Sequence, residues 1–182
     1  MTETAKKRAV FLDRDGTIIE DRDCVVRIED IVFLPGVKEA LRILQTHFSL
    51  IIITNQPWIS RGHMTWQQLE AVQDAIFKQL ASAGVYLLDW YACPHTRDYG
   101  CECIKPKPAL GKLAAAKHGL DLKHSWTIGD HPHDVDFARS VRACGGIYLL
   151  TGHGTRHLAE LDSASYVASD LLDAAGWLAR NA

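Results

Sequence analysis

Two aspartates with one residue between them, Asp13 and Asp15, directly follow the apolar run 9–12 and lead into Gly16-Thr17. A strand that ends this way delivers both carboxylates to the carboxyl edge of a parallel sheet, where open α/β folds bind their ligands. One carboxylate can then act as a nucleophile and the other as a proton donor, provided a cation offsets their mutual repulsion. Asp and Gly are also ordinary turn residues, so the segment by itself reads equally well as an acidic turn. The residues behind the other apolar runs decide between the two.

Three more polar clusters stand behind predicted strands: Thr54-Asn55-Gln56, then Lys105, then the segment from Gly129 through Asp130, His131 and His133 to Asp134. Taken singly, Thr54-Asn55 reads as a strand-terminal turn, Lys105 as a solvated lysine and Asp134 as a helix cap. Taken together on one sheet edge they supply the parts of phosphoryl transfer. An anionic nucleophile needs a divalent cation, which Asp13, the main-chain oxygen of Asp15 and Asp130 can hold, and Mg²⁺ is the hard, oxygen-loving choice. Thr54 and Lys105 can donate to the phosphate oxygens that carry charge in the transition state. Asp15 can protonate the leaving oxygen and later activate water.

These groups need a scaffold that alternates strands with helices. Strands are predicted at 9–12, 50–53, 85–92, 125–128 and 147–150, with a marginal one near Tyr166-Val167. Helices are predicted at 37–46, at 65–83 with Thr65 as cap, at 108–118 stopped by Gly119, and at 133–144 stopped by Gly145-Gly146. The tail from 155 to 182 adds two more. Val37, Ala40, Leu41 and Leu44 share one helical face, as do Leu69, Val72, Ile76 and Leu80. Such alternation implies a Rossmann-like, three-layer α/β/α sandwich with a mainly parallel sheet. No linker or repeat divides the chain, so 1–182 reads as one domain without a large cap.

A net charge of −2 offers no basic face for nucleic acid. No apolar stretch is long enough for a membrane span, and the basic start, residues 1–8, lacks a signal-peptide core. Three of the five cysteines, Cys93, Cys101 and Cys103, crowd into one loop, a poor disulfide framework and a candidate metal site. A cytoplasmic protein is expected.

The Asp13-x-Asp15-Gly16-Thr17 segment, Thr54, Lys105 and Gly129-Asp130-x-x-x-Asp134 resemble the four motifs of haloacid dehalogenase (HAD) superfamily phosphatases. The resemblance is closest to their histidinol-phosphatase-like branch and, within it, to heptose-1,7-bisphosphate 7-phosphatases. It runs from about residue 9 to 154 and includes Arg61-Gly62, Cys93-Pro94-His95, Cys101-x-Cys103 and Thr151-Gly152. It implies Asp13 as nucleophile, Asp15 as general acid/base, and Mg²⁺ at Asp13, Asp15 and Asp130 with Asp134 in support. It also implies a zinc loop over 93–103 that pins the segment carrying Lys105. Cys93, His95, Cys101 and Cys103 would make a closed tetrahedral set with no open position, hence a structural Zn²⁺.

Substrate is expected to meet Asp21, Arg22, Asp23 and Cys24 after the first motif, Asn55, Gln56 and Pro57 after the second, Ile104 before the lysine and His131 after Asp130. Several of these depart from the family pattern. Ile104 stands where the heptose enzymes carry arginine, Asp23-Cys24 replace a frequent Gly-Tyr pair, Pro57-Trp58 replace small residues, and His131 replaces a cation. Lys107 and Arg97 are the nearby cations that could take the place of the arginine, and Trp58 could stack on a sugar or an imidazole.

The implied activity is phosphomonoester hydrolysis through an aspartyl-phosphate on Asp13, releasing the 7-phosphate of a D-glycero-D-manno-heptose 1,7-bisphosphate. Histidinol phosphate or another small phosphorylated compound is the alternative substrate, a 3′-phosphorylated polynucleotide a remoter one, and a silent regulatory protein the non-enzymatic alternative. A monomer is the default.

Overall fold

The computed structural model describes residues 7–181. The basic run up to residue 6 and the last residue of the final predicted helix lie outside them. The strands are β1 (Ala9–Leu12), β2 (Ser49–Asn55), β3 (Asp89–Cys93), β4 (Trp126–Gly129), β5 (Gly145–Leu149) and β6 (Tyr166–Ala168). The helices are α1 (Val37–Gln45), α2 (Trp66–Ala81), α3 (Ala109–His118), α4 (Pro132–Val141), α5 (Gly154–His157) and α6 (Leu171–Asn181). The strands form one parallel sheet in the order β3-β2-β1-β4-β5-β6.

Successive strand side chains point to opposite faces, and the sequence fills both with apolar groups. Val10, Leu12, Leu50, Ile52, Ile128, Ile147 and Leu149 pack on one face with the predicted stripe of α1, with Val72, Ile76 and Leu80 of α2 and with Leu171, Ala174 and Leu178 of α6. Ala9, Phe11, Ile51 and Ile53 pack on the other with Leu110 and Ala114 of α3 and Phe137 and Val141 of α4. This is the expected three-layer sandwich. The chain winds outward from β1 in one direction and, from β4, in the other. The crevice beyond the ends of β1 and β4 is therefore the topological switch point, where such sheets bind ligands.

Most element ends agree with the sequence reading. Thr65 caps α2 through a capping box, its Oγ1 accepting from Gln68 N at 3.2 Å and its own amide donating to Gln68 Oε1 at 2.8 Å. Three ends differ. The third strand begins at Asp89, because the Val85 and Tyr86 amides donate to Leu80 O and Gln45 Oε1 rather than to β2. Helix α4 stops at Val141, where Arg142 turns left-handed (φ 60°) and the Cys144 amide donates to Ser125 O. Gly145 and Gly146 belong to β5 rather than to a helix stop. A Cβ on Gly146 would lie 2.9 Å from the Val135 Cα, so glycine there lets α4 lie close on the sheet.

Asp89, the odd residue of its apolar run, ties the edge strand to α3. Its Oδ2 accepts from Lys117 Nζ at 2.8 Å, His118 Nε2 at 2.7 Å and Tyr91 Oη at 2.7 Å. Burial raises its pKa, but these bonds and the Trp90 amide outweigh burial and hold the carboxyl well below its ordinary value. The stability it contributes is thus full above pH of about 4 and fades as pH falls toward the depressed native value. Asp89→Asn should cost about 1–2 kcal/mol at pH 7. Urea midpoints of variant and wild type should converge as pH drops below about 4.

Candidate active site

The four polar clusters meet at the switch point, along a cavity of about 630 Å³. Asp13 follows β1, and its Oδ1 accepts from Lys105 Nζ at 2.6 Å. The same ammonium lies 2.6 Å from Asp134 Oδ1, and all three side chains are largely buried. Lys105 arrives on the loop after β3, where its amide donates to Asn55 Oδ1 at 3.0 Å and its carbonyl accepts from Asn55 Nδ2 at 3.4 Å. Asp134 sits in the first turn of α4 and accepts the His131 amide at 3.1 Å. Asp130, at the end of β4, accepts the His153 amide at 2.7 Å.

Glycine is required on both sides of Asp130. Gly16 (φ +78°) and Gly152 (φ +51°) are left-handed, and a Cβ on either would run into the Asp130 carboxylate. Thr151 Oγ1 donates to Gly16 O at 2.6 Å and closes this pinch.

Carboxylate oxygens of Asp13, Asp130 and Asp134 lie within 4.8 Å of one another, with one ammonium among them. Burial, aided by Asp134 and Asp15, lifts Asp13 to about 7 despite Lys105. Burial, Asp13 and Asp134 lift Asp130 to about 8. Asp134 goes the other way: burial raises it, but Lys105 and its hydrogen bonds bring it below the ordinary value. Burial lowers the Lys105 pKa, but Asp13 and Asp134 outweigh it and hold the proton more firmly than usual. The set is short of positive charge, and hard oxygen donors so arranged suit a divalent cation such as Mg²⁺.

Asp15 lies apart from that cluster. Arg14, fully buried, grips its carboxylate at 2.7–3.1 Å, and Gln56 Nε2 donates to Oδ2 at 2.7 Å and to Thr54 Oγ1 at 2.9 Å. The share of Asp15 in a cation would therefore come from its main-chain oxygen. Nothing in the spacing of Arg14 marks it as a clamp, since its role rests on a bend of the turn.

A second cluster lies in the loop after β3. Cys93 Sγ is 3.5 Å from Cys101 Sγ and 3.0 Å from Cys103 Sγ, and His95 Nδ1 is 3.7 Å from Cys93 Sγ and 3.2 Å from Cys103 Sγ. A tetrahedral zinc with S and N ligands places them roughly 3.5–3.8 Å apart. No disulfide links these thiols. The donor set and its spacing fit a structural zinc.

Of the residues expected to meet substrate, Asp21, Asp23, Asn55, Gln56, Pro57, Ile104 and His131 line the cavity. Arg22 does not, being exposed and paired with Glu20 at 2.8 Å, and Cys24 turns its Sγ toward His63 O at 3.9 Å. Trp58, Arg61, Arg97, His133 and His153 line the cavity as well. Lys107 does not, since its ammonium donates to Cys101 O at 2.6 Å. Burial, with Lys105 nearby, drives His133 down to about 3, against the pull of Asp134, so its imidazole is neutral.

The HAD-hydrolase-like family matches residues 102–174. The D-glycero-β-D-manno-heptose-1,7-bisphosphate 7-phosphatase of Bordetella bronchiseptica is 31% identical over 96% of this chain and 99% of its own. A Helicobacter pylori enzyme of that name is 38% identical over 79% of this chain and 84% of its own. The α-anomer enzyme of Campylobacter jejuni is 38% identical over 71% of this chain and 75% of its own. The crystal structure of the B. bronchiseptica phosphatase with magnesium and phosphate superposes with a TM-score of 0.87, covering 96% of this chain and 99% of that one.

Because Asp13 and Asp130 must give up protons to accept a cation, Mg²⁺ binding should tighten as pH rises from about 6 to 8. Titration calorimetry should show a binding enthalpy that varies with the buffer's ionisation enthalpy. Affinity independent of pH across that window would place the cation elsewhere.

Proposed function

The chain belongs to the heptose-1,7-bisphosphate 7-phosphatase family of HAD-like hydrolases, and on that footing we propose that it removes the 7-phosphate of a D-glycero-D-manno-heptose 1,7-bisphosphate. One observation carries the reading. The carboxylate of Asp13 stands at the floor of the cavity beside the buried Lys105 ammonium and across from Asp130 and Asp134.

With Oδ1 held by Lys105, the second oxygen of Asp13 attacks phosphorus, and the bond from phosphorus to the sugar oxygen breaks. Asp15 supplies the proton that the departing oxygen takes up with its electron pair. It then accepts a proton from the water that attacks the aspartyl-phosphate, which frees Asp13 and releases phosphate. Thr54 and Lys105 donate to the phosphate oxygens and stabilise the charge spread over them. Asp13, Asp130 and the main-chain oxygen of Asp15, with Asp134 in support, would hold Mg²⁺, which would supply the positive charge that two approaching anions need. Cys93, His95, Cys101 and Cys103 would hold a zinc that would fix the loop whose end carries Lys105. We place the protein in the cytoplasm, which suits a chain whose cysteines are all free.

The test is phosphate release with Mg²⁺ from both anomers of heptose 1,7-bisphosphate, histidinol phosphate, common hexose phosphates and a 3′-phosphorylated oligonucleotide. One heptose anomer should be preferred. Turnover of neither would overturn the substrate, and preference for histidinol phosphate would replace it. Asp13→Asn should fold and lose at least about 10³-fold in kcat. Wild-type turnover by that variant would refute the covalent route.

A further inference from the structure

Resting on the proposed substrate, a sugar with phosphates at both ends, the cavity must receive a second dianion away from Asp13. A cation has to meet it, and most cations on the wall are engaged elsewhere. Lys105 is taken by Asp13 and Asp134. His153 Nε2 lies 3.4 Å from Asp21, and Arg61 lies over the Trp58 ring, 4.9 Å from its centre. Ile104 offers only apolar surface and packs on the layer of side chains beneath the loop.

Arg97 is left. It occupies the short helical turn Arg97–Tyr99 within the zinc loop, two residues past His95, whose ring stacks on Tyr99 at 4.2 Å. Its Nη2 donates to His133 Nδ1 at 3.3 Å, and among the described residues it forms no ion pair. His133 in turn precedes Asp134, the partner of Lys105. The guanidinium is thus aimed by one hydrogen bond to an imidazole, with no described carboxylate at ion-pair distance, at the wall of the cavity that holds Asp13. A planar fork so placed suits bidentate capture of phosphate.

We propose that Arg97 anchors the second phosphate of the substrate and makes the enzyme select doubly phosphorylated sugars over singly phosphorylated ones. Specificity and catalysis would then be delivered by one loop, with Arg97 at its tip and Lys105 at its end.

The experiment measures inhibition of p-nitrophenyl phosphate hydrolysis by heptose 1,7-bisphosphate and by heptose 7-phosphate. In wild type the bisphosphate should inhibit about ten- to hundredfold more tightly, the range expected of charge-assisted hydrogen bonds. Arg97→Gln should abolish that preference while changing inhibition by the monophosphate less than about threefold. Arg97→Lys should keep part of it, and Ile104→Arg added to Arg97→Gln should restore it, because position 104 lines the same cavity. A preference unchanged in Arg97→Gln, or absent from wild type, would overturn the anchor. Should the bisphosphate inhibit preferentially through Arg97 yet not be hydrolysed, the anchor would stand and the substrate assigned above would fall.

Discussion

Three carboxylates crowd together at the end of the central strand with one buried ammonium, paired to two of them, and much of the molecule serves that imbalance. Asp13, Asp130 and Asp134 sit too close together for all to ionise without more positive charge than Lys105 brings. Keeping them there takes Gly16 and Gly152, since a side chain on either would displace Asp130. It takes the first turn of α4, whose amide at His131 faces Asp134. It takes Asn55, which pins the main chain at Lys105 from both sides. A divalent cation held there would supply the positive charge that the cluster lacks.

The loop after β3 does two things because of how it is held. Cys93, His95, Cys101 and Cys103 gather at its base with their donor atoms within 4.8 Å of one another, so a metal held there would fix its path without a hydrophobic core of its own. From that base it sends Lys105 inward and Arg97 outward. A longer, unpinned loop could reach both places only by losing conformational entropy each time it did so.

Much of this is legible in the amino-acid order. The strands before Asp13, Thr54 and Asp130 announce themselves as β-branched or apolar runs ending in polar groups, and α1 and α2 carry apolar stripes at helical spacing. The Cys and His positions point to the second cluster. Features that depend on contacts across the fold cannot be read this way. Val85 has the composition of a strand, yet the end of α2 takes its amide. Gly145-Gly146 has the composition of a helix stop, yet both belong to β5, where Ser165 and Trp126 crowd Gly145 and α4 lies close on Gly146. Arg14 as the clamp on Asp15 and the neutral state of His133 have no signature in spacing, because the first depends on the bend of its turn and the second on burial in the folded site. Between Lys107 and Arg97, only the fold says which faces the cavity.

The position of β1 has one more consequence, and it concerns time. As an inner strand, paired with β2 and β4 and covered by helices on both sides, it belongs to the part of the protein that opens last and least often. Trp58, Arg97 and His153 are each more exposed than any residue of that strand. The group that must keep its place to within a fraction of an ångström is therefore mounted where exchange with solvent is slowest. The cavity-lining groups on the loops stand outside that strand, so a substitution among them leaves its pairing and packing intact.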